Sequence, residues 1–360
     1  MFKPKGTGFL VLCALLILCI CFGEAAPQRK QGKQSGNKGG KGGGNGGGNG
    51  GGNTKQTLQQ QAAQKPGGIS KAQDGSVILD KTVKINGLNI RYKVSAPADQ
   101  FKAASGVKSG NAARAADTEG TIGMNVLLHG DGGDSFFDFP NEGVNANLMG
   151  VAVLAPDKNL KWGGANQGKQ QRSQGVPHSK AVADLITQEL PKMVAFNQSN
   201  VWFTGVSGGA LTLSGFFIPA HMGQFPNTGV LLNCGGLPPQ VNFTPEAEAA
   251  ISNTRIHTQS SQKELSSLQK TIPAAVKAYE DEARKARLNT QQINALQTVD
   301  NTPSGGHCDF DGKGFTSGVK SVVTKFDQIM FPQGNGQVNG VDVKTGVIGN
   351  EALRFTGSGR

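Results

Sequence analysis

The 360-residue chain has little cysteine and few large aromatic rings, since it contains 5 Cys, 2 Trp and 2 Tyr. Its cysteines and histidines do not occur at the close spacings of metal-binding modules, so the sequence predicts no metal site. There is no glycine-rich phosphate loop of the Walker type, and no cofactor is implied. No apolar run reaches the roughly 20 residues that span a bilayer, which argues against a membrane anchor.

The first 25 residues have the composition of a secretory signal peptide. Lys3 and Lys5 supply positive charge, residues 9–22 form an apolar core, and small residues precede a cleavage site near Ala25. A transmembrane anchor is the alternative, but the apolar core is shorter than a bilayer span. We therefore expect a cleaved signal and an extracellular, secreted protein.

Residues 26–68 are a low-complexity stretch of Gly, Asn, Gln and Lys with repeated Gly-Gly-Gly-Asn units. Such a segment cannot bury enough apolar surface to offset the entropy of ordering, so it predicts a disordered leader. Residues 1–68 hold nine Lys and Arg and one acid, and thus eight of the eleven net positive charges. The leader either contacts an anionic polymer such as cell wall or is a solvated linker without a partner. No nucleic-acid module is predicted.

The remaining residues, 69–360, suffice for one large domain with a sizeable core. Alternating apolar and polar residues on both sides of Asn86-Gly87 predict a β-hairpin. Further strands are predicted at 121–128, 150–155, 200–206, 228–234, 255–258 and 293–299, and helices at 178–196, 210–217, 244–252, 264–287 and 318–331. Because strands and helices alternate, we expect an α/β fold with a mostly parallel central sheet and helices on both faces.

One strand-to-helix junction carries a glycine-rich serine motif. Residues 205–209 read Gly-Val-Ser-Gly-Gly, which matches the Gly-x-Ser-x-Gly pattern of a nucleophile elbow. In such an elbow the serine lies on a sharp, strained turn, and the glycines let the strand and the helix approach each other. A chain with 53 Gly can contain this pattern by chance. The position between a strand and a helix favours Ser207 as a nucleophile.

A second glycine-rich motif lies upstream of the serine. Residues 129–133 read His-Gly-Asp-Gly-Gly and follow directly after the predicted strand at 121–128. Backbone N–H groups of Gly130 or Asp131, together with that of Gly208, are predicted to stabilise the oxyanion of a tetrahedral intermediate.

A serine hydroxyl needs a neighbouring base to become a nucleophile. In enzymes with such an elbow the chain order is serine, acid, histidine, and His307 lies in a Gly-rich loop after the last predicted strand. Glu264 is the first carboxylate after the strand at 255–258, and we assign it to orient His307. An ordinary Glu in a first helical turn is the alternative. Asp309 and Asp157 are weaker candidates.

The order of these motifs resembles that of the α/β-hydrolases over residues 76–331. Within them the chain is similar to secreted fungal esterases related to feruloyl and polyhydroxyalkanoate-type esterases. Residues 230–239, Val-Leu-Leu-Asn-Cys-Gly-Gly-Leu-Pro-Pro, and 305–312, Gly-Gly-His-Cys-Asp-Phe-Asp-Gly, resemble a fungal group often labelled "cyclin-like F-box". No feature of the chain predicts a cyclin or an F-box. The Gly-x-x-Asp motif of this family is missing after residues 255–258, so no family motif supports the assignment of Glu264 as the acid.

Cys13, Cys19 and Cys21 leave with the signal peptide, so Cys234 and Cys308 remain. An oxidising compartment permits a bond between these two, which would pin the histidine loop over the serine. Two separate thiols are the alternative.

Four further side chains have predicted roles. Phe136 and Trp162 lie in loops that follow strands and are predicted to line a substrate pocket, with core packing as the alternative. Asn197 and Asn242 begin Asn-x-Ser/Thr sequons, at which we expect glycosylation.

These features predict a secreted serine hydrolase with the triad Ser207, His307 and Glu264, acting on an ester of cell-wall or plant origin. The alternative is a secreted, non-catalytic binding or virulence protein on a hydrolase scaffold. A structure without a carboxylate in hydrogen-bond reach of His307 would favour this alternative.

Overall fold

The computed structural model describes residues 56–108, 119–140, 144–168, 171–331, 343–344, 346 and 353–357. The predicted signal peptide and most of the predicted leader lie outside the described residues.

In the described part of the chain, nine strands form one sheet in the order β1-β2-β3-β5-β4-β6-β7-β8-β9. The strands are β1 Gly68–Lys71, β2 Val77–Ile85, β3 Leu88–Ala96, β4 Gly123–Leu128, β5 Leu148–Val153, β6 Val201–Val206, β7 Gly229–Asn233, β8 Arg255–Gln259 and β9 Gln297–Asp300. Strands β1 to β3 are antiparallel to their neighbours, and β5, β4, β6, β7, β8 and β9 run parallel.

Helices follow β5, β6, β7, β8 and β9 in the chain. The described α-helices are α1 Leu58–Ala63, α2 Gly175–Asp184, α3 Leu190–Met193, α4 Gly208–Thr212, α5 Ile218–His221, α6 Pro245–Ala250, α7 Leu268–Lys285, α8 Thr290–Leu296, α9 Phe315–Val323 and α10 Phe326–Met330. Two π-helical segments, Leu185–Glu189 and Leu213–Phe217, join α2 to α3 and α4 to α5. None of the described helices is long and apolar enough to cross a membrane.

Both faces of the central strands are buried. Successive side chains of a strand point to opposite sides of the sheet, so one strand contributes to the cores on both faces. In β6, Val201 and Phe203 belong to the larger core, which also contains Leu213 of the helical layer on that face. Trp202 between them belongs to a second core with Phe326 of α10. The predicted α/β fold, a mostly parallel sheet with helices on both faces, is therefore confirmed.

The register of the parallel strands places their carboxyl ends side by side. Leu128 lies opposite Gly205, Val206 opposite Asn233, and Gln259 opposite Asp300. Loops that follow β4, β6, β8 and β9 therefore meet at one edge of the sheet. The predicted hairpin is also present, with Ile85 paired to Leu88 across Asn86-Gly87.

The predicted boundaries of the helix at 264–287 and of the strand at 293–299 are wrong. Helix α7 begins at Leu268, so Glu264 lies in a turn before it, where its carboxylate accepts the N–H of Leu265 at 2.8 Å. The segment 293–299 is not one strand, because α8 continues to Leu296 before β9 begins. Asn289 starts α8 by a capping box, a local signal that the apolar pattern of 293–299 does not contain.

The predicted end of the leader at residue 68 is also too late, because residues 58–63 form α1. Leu58 and Ala62 of this helix pack against an apolar cluster beneath the loop after β4. Arg91 of β3 donates to the carbonyl oxygens of Gln61 at 3.1 Å and Ala62 at 3.4 Å. The last carbonyl groups of a helix lack partners in a further helical turn, and Arg91 supplies hydrogen bonds to two of them. A short apolar pair and one distant arginine thus order a stretch whose composition predicts disorder.

Candidate active site

Ser207 lies on a strained turn between β6 and α4, with φ 48° and ψ −111°. This positive φ is rare for residues other than glycine, and the surrounding structure must hold it. A Cβ on Gly205 would lie 2.6 Å from the backbone of Ala210, and one on Gly209 would lie 2.1 Å from the carbonyl oxygen of Leu128. The two glycines therefore permit the close approach that presents the serine at the strand end.

His307 lies between the serine and a carboxylate. Its Nε2 is 2.8 Å from Ser207 Oγ, and its Nδ1 is 2.5 Å from Glu264 Oε1. Glu264 is fully buried, whereas His307 keeps part of its ring exposed. A carboxylate acceptor favours the tautomer with the proton on Nδ1, which leaves the Nε2 lone pair facing the serine hydroxyl.

The other carboxylates considered for this position have different partners. Asp309 Oδ1 accepts the N–H of Gly314 at 2.6 Å, and Asp157 Oδ1 accepts the N–H of Asn159 at 2.9 Å. Among the described residues neither carboxylate forms a hydrogen bond with His307. Of the carboxylates in the described part of the chain, only that of Glu264 forms a hydrogen bond with His307, and its position before α7 excludes an ordinary first-turn role.

A disulfide holds the histidine loop to the end of β7. Cys234 and Cys308 form this bond, with their Cα atoms 5.2 Å apart, and both residues are fully buried. Ser261 Oγ also donates to the carbonyl oxygen of Gly306 at 2.5 Å. The two residues that flank His307 in the chain are thus both anchored.

The Gly-rich loop after β4 approaches the serine from the other side. The Gly130 N–H donates to the carbonyl oxygen of Asp134 at 3.1 Å, so the loop itself uses this predicted donor. For the N–H groups of Asp131 and Gly208, the described structure contains no acceptor. The prediction for Gly130 is therefore wrong, because its N–H closes the tight turn that the glycines allow.

His129 anchors this loop, a role that the motif alone did not reveal. The Ala155 N–H donates to its Nε2 at 2.9 Å, so the ring proton lies on Nδ1 and is donated to the carbonyl oxygen of Gly130 at 2.6 Å. The ring is fully buried, and desolvation lowers its pKa to about 4. His129 is therefore neutral near pH 7 and ties the loop to the end of β5.

Phe136 and Trp162 do not line a pocket, contrary to the prediction. Both are fully buried, and both pack on the His129 ring, with centroid distances of 6.3 and 5.6 Å. Core packing was the alternative, and it occurs because the loops after β4 and β5 fold back over the neutral imidazole.

Sequence reasoning missed Arg172. Its guanidinium binds both carboxylate oxygens of Asp131, at 3.1 and 2.8 Å. It also donates to the carbonyl oxygen of Trp162. No local motif marks this residue, because its partner is 41 positions away in the chain.

The remaining predicted site residues lie at the surface or in the disulfide. Asn242 is exposed and Asn197 is half-buried, so both sequons remain predictions. In the described residues, Cys234, His307 and Cys308 form the one group of three possible metal ligands. Two of these ligands are disulfide sulfurs, which lack the thiolate that binds metal ions.

No family model and no curated protein matches this chain. Solved structures with a similar fold include a thermostable esterase, with 17% identity and a TM-score of 0.41 over 57% of this chain and 52% of that one. The chain thus spans about half the length of that esterase. A feruloyl esterase module from Clostridium thermocellum, complexed with sinapinate, has 12% identity and a TM-score of 0.37 over 59% of this chain and 75% of that one.

A cold-adapted esterase from an Arctic intertidal metagenomic library has 12% identity and a TM-score of 0.42 over 74% of this chain and 99% of that one. With TM-scores below one half, these similarities carry no argument about activity.

Proposed function

We propose that the protein is a secreted serine hydrolase that cleaves carboxylic esters. The observation that carries this proposal is the continuous chain of hydrogen bonds from Ser207 Oγ through His307 to Glu264, with distances of 2.8 and 2.5 Å. A base in contact with the hydroxyl, and an acid in contact with the base, are the two groups that a serine nucleophile requires.

In the proposed reaction, Ser207 Oγ attacks the ester carbonyl carbon and its proton passes to His307 Nε2. The N–H groups of Asp131 and Gly208 donate to the oxyanion that forms. His307 returns the proton to the leaving alcohol as the ester C–O bond breaks, and buried Glu264 stabilises the intermediate imidazolium. Water then attacks the acyl-enzyme through the same base and releases the carboxylic acid.

A non-catalytic binding protein on the same scaffold remains the second candidate. It would need no carboxylate behind the histidine, and a buried carboxylate is costly to keep without a partner. The contact of Glu264 Oε1 with His307 Nδ1 at 2.5 Å favours the enzyme.

The test replaces the nucleophile and leaves its surroundings intact. Ser207→Ala is expected to lower kcat on a panel of aryl, acyl and cinnamoyl esters by about 10³-fold or more, and to abolish labelling by a fluorophosphonate probe. Ser252→Ala, in the turn that follows α6, is the matched control and should retain both activities. Failure of the folded wild-type protein to react with any ester or with the probe would leave the binding protein as the better hypothesis.

We further propose that the chain is secreted, is cut near Ala25 and carries glycans at Asn197 and Asn242. The Cys234–Cys308 bond supports this proposal, since stable disulfides form mainly in oxidising compartments. The basic leader would then hold the enzyme near an anionic polymer, where a cell-wall or plant-derived ester is a suitable substrate. Mass spectrometry of the mature protein tests the cleavage site and the glycans, and a chain that begins at Met1 would contradict the proposal.

A further inference from the structure

A carboxylate lies directly beside the proposed oxyanion donors. A Cβ on Gly208 would be 1.8 Å from Asp131 Oδ1, so this oxygen occupies the space above the Gly208 Cα. The backbone N–H groups of Gly208 and Asp131 also have no acceptor in the described structure. A negative charge at this position repels an oxyanion bound at those N–H groups.

Arg172 lies against this carboxylate in a bidentate pair, with N–O distances of 3.1 and 2.8 Å. The Arg172 side chain is 8% exposed and the Asp131 side chain 32% exposed, so solvent screens the pair incompletely. A planar guanidinium can fix both carboxylate oxygens at once, which a lysine cannot do.

Contacts that do not involve Asp131 also hold Arg172. Its backbone has φ 53°, and its N–H donates to Asn166 Oδ1 at 3.0 Å. A Cβ on Gly163 would be 2.7 Å from the Arg172 Cβ, so only a glycine leaves room for the side chain there. With the further bond to the Trp162 carbonyl oxygen, these contacts keep the guanidinium in place.

We propose that Arg172 is a positioning residue of the oxyanion hole. It fixes the Asp131 carboxylate, and through it the direction of the Asp131 N–H, and it neutralises the negative charge beside Gly208. This inference rests on the proposed serine hydrolase, because it concerns the transition state of that reaction. It differs from an ordinary stabilising ion pair, which would affect folding and leave the turnover of folded enzyme unchanged.

The experiment measures kcat and KM of the full chain on p-nitrophenyl acetate, together with the melting temperature of each variant. Arg172→Gln leaves the carboxylate unneutralised, and we expect kcat to fall by about 10- to 100-fold with little change in KM, which is less than the roughly 10²- to 10³-fold loss found when one oxyanion donor is removed. Arg284→Gln, which removes an exposed arginine of α7, is the matched control and should retain wild-type kcat.

The double variant Asp131→Asn with Arg172→Gln separates charge from structure. It lacks the ion pair but also lacks the carboxylate, so we expect kcat to recover at least about fivefold over Arg172→Gln alone. Affinity for a boronic acid inhibitor, which forms an anionic tetrahedral adduct with the serine, should fall in Arg172→Gln and recover in the double variant. A structural role alone would predict that the double variant is as impaired as the single one.

Arg172→Lys keeps the charge without the planar fork and is the variant to use if Arg172→Gln does not fold. We expect its kcat to be about 3- to 10-fold below that of the wild type and above that of Arg172→Gln. Wild-type kcat in Arg172→Gln or Arg172→Lys, or no recovery in the double variant, would overturn the inference. A wild-type protein that neither hydrolyses esters nor reacts with a fluorophosphonate would instead overturn the proposed function.

Discussion

Two loops at the carboxyl edge of the sheet approach Ser207, and different interactions hold them. The proposed oxyanion loop, residues 129–135, is held by non-covalent contacts, among them those of the buried His129 imidazole and of the Arg172 guanidinium. The histidine loop, residues 300–314, is held by a covalent bond at Cys308 and by the carboxylate behind its imidazole.

The interactions that hold each loop match the kind of group that the loop contributes beside Ser207. The oxyanion loop presents a backbone N–H, whose direction depends on the whole local backbone and whose effect depends on nearby charge. The histidine loop presents a side chain, whose ring orientation and tautomer one acceptor can set. We therefore expect single substitutions to have larger effects on the histidine loop than on the more widely supported oxyanion loop.

The largest effect is expected from Glu264→Gln. A glutamine amide has no negative charge to stabilise the imidazolium and can donate to Nδ1, which favours the tautomer with the proton facing the serine. We expect kcat on an aryl ester to fall by about 10³- to 10⁴-fold. Glu246→Gln, on the exposed side of α6, is the control. A loss below tenfold would mean that another group orients His307.

An intermediate effect is expected from removal of the disulfide in Cys234→Ala with Cys308→Ala. The bond closes a loop of 74 residues, so its loss should lower the free energy of unfolding by about 2–5 kcal/mol. We expect kcat to fall less than in Glu264→Gln, because the carboxylate still orients the ring. Denaturant unfolding and kcat measure the two effects separately. Unchanged kcat in the folded variant would show that the histidine loop keeps its place without the bond.

The elbow and the hairpin could be predicted because short local patterns encode them. Residues 205–209 combine a strand end, a serine and glycines at the positions where a Cβ would collide, and Asn86-Gly87 is a local turn signal. Glu264 could be chosen by its order in the chain, but its burial and its turn before α7 could not be foreseen. That turn depends on contacts with the neighbouring loops, which the apolar periodicity of α7 does not encode.

Long-range polar contacts outside the Ser207–His307–Glu264 group could not be predicted. Arg172 meets Asp131 across 41 residues, and His129 accepts a hydrogen bond from the Ala155 N–H just after β5, yet neither pair has a sequence signature. The assignment of Phe136 and Trp162 to a substrate pocket was wrong for the same reason. A ring that follows a strand can face the substrate or the core, and only the neighbouring buried imidazole decides between them.

The smallest effect is expected at α1, which supports the oxyanion loop from outside. A Cβ on Gly133 would lie 3.6 Å from the Leu58 Cβ, and Leu58 packs on the apolar cluster that contains Phe136 and Leu160. The side chain of Leu160 lies against Gly133, and its carbonyl oxygen accepts the N–H of Gly132 at 3.0 Å. Helix α1 therefore contacts the same loop that presents the Asp131 N–H.

Leu58→Asp would place a charge against this apolar cluster and displace α1. Because His129 and Arg172 still hold the loop, we expect kcat to fall by less than about tenfold, or less than about 1.4 kcal/mol of transition-state stabilisation. Gln59→Asp, an exposed neighbour on the same helix, carries the same charge and should keep wild-type kcat. Equal kcat in the two variants would show that α1 does not support the oxyanion loop. A loss as large as that of Glu264→Gln would contradict the expected difference between the two loops. The oxyanion loop would then depend on a single contact as strongly as the histidine loop does.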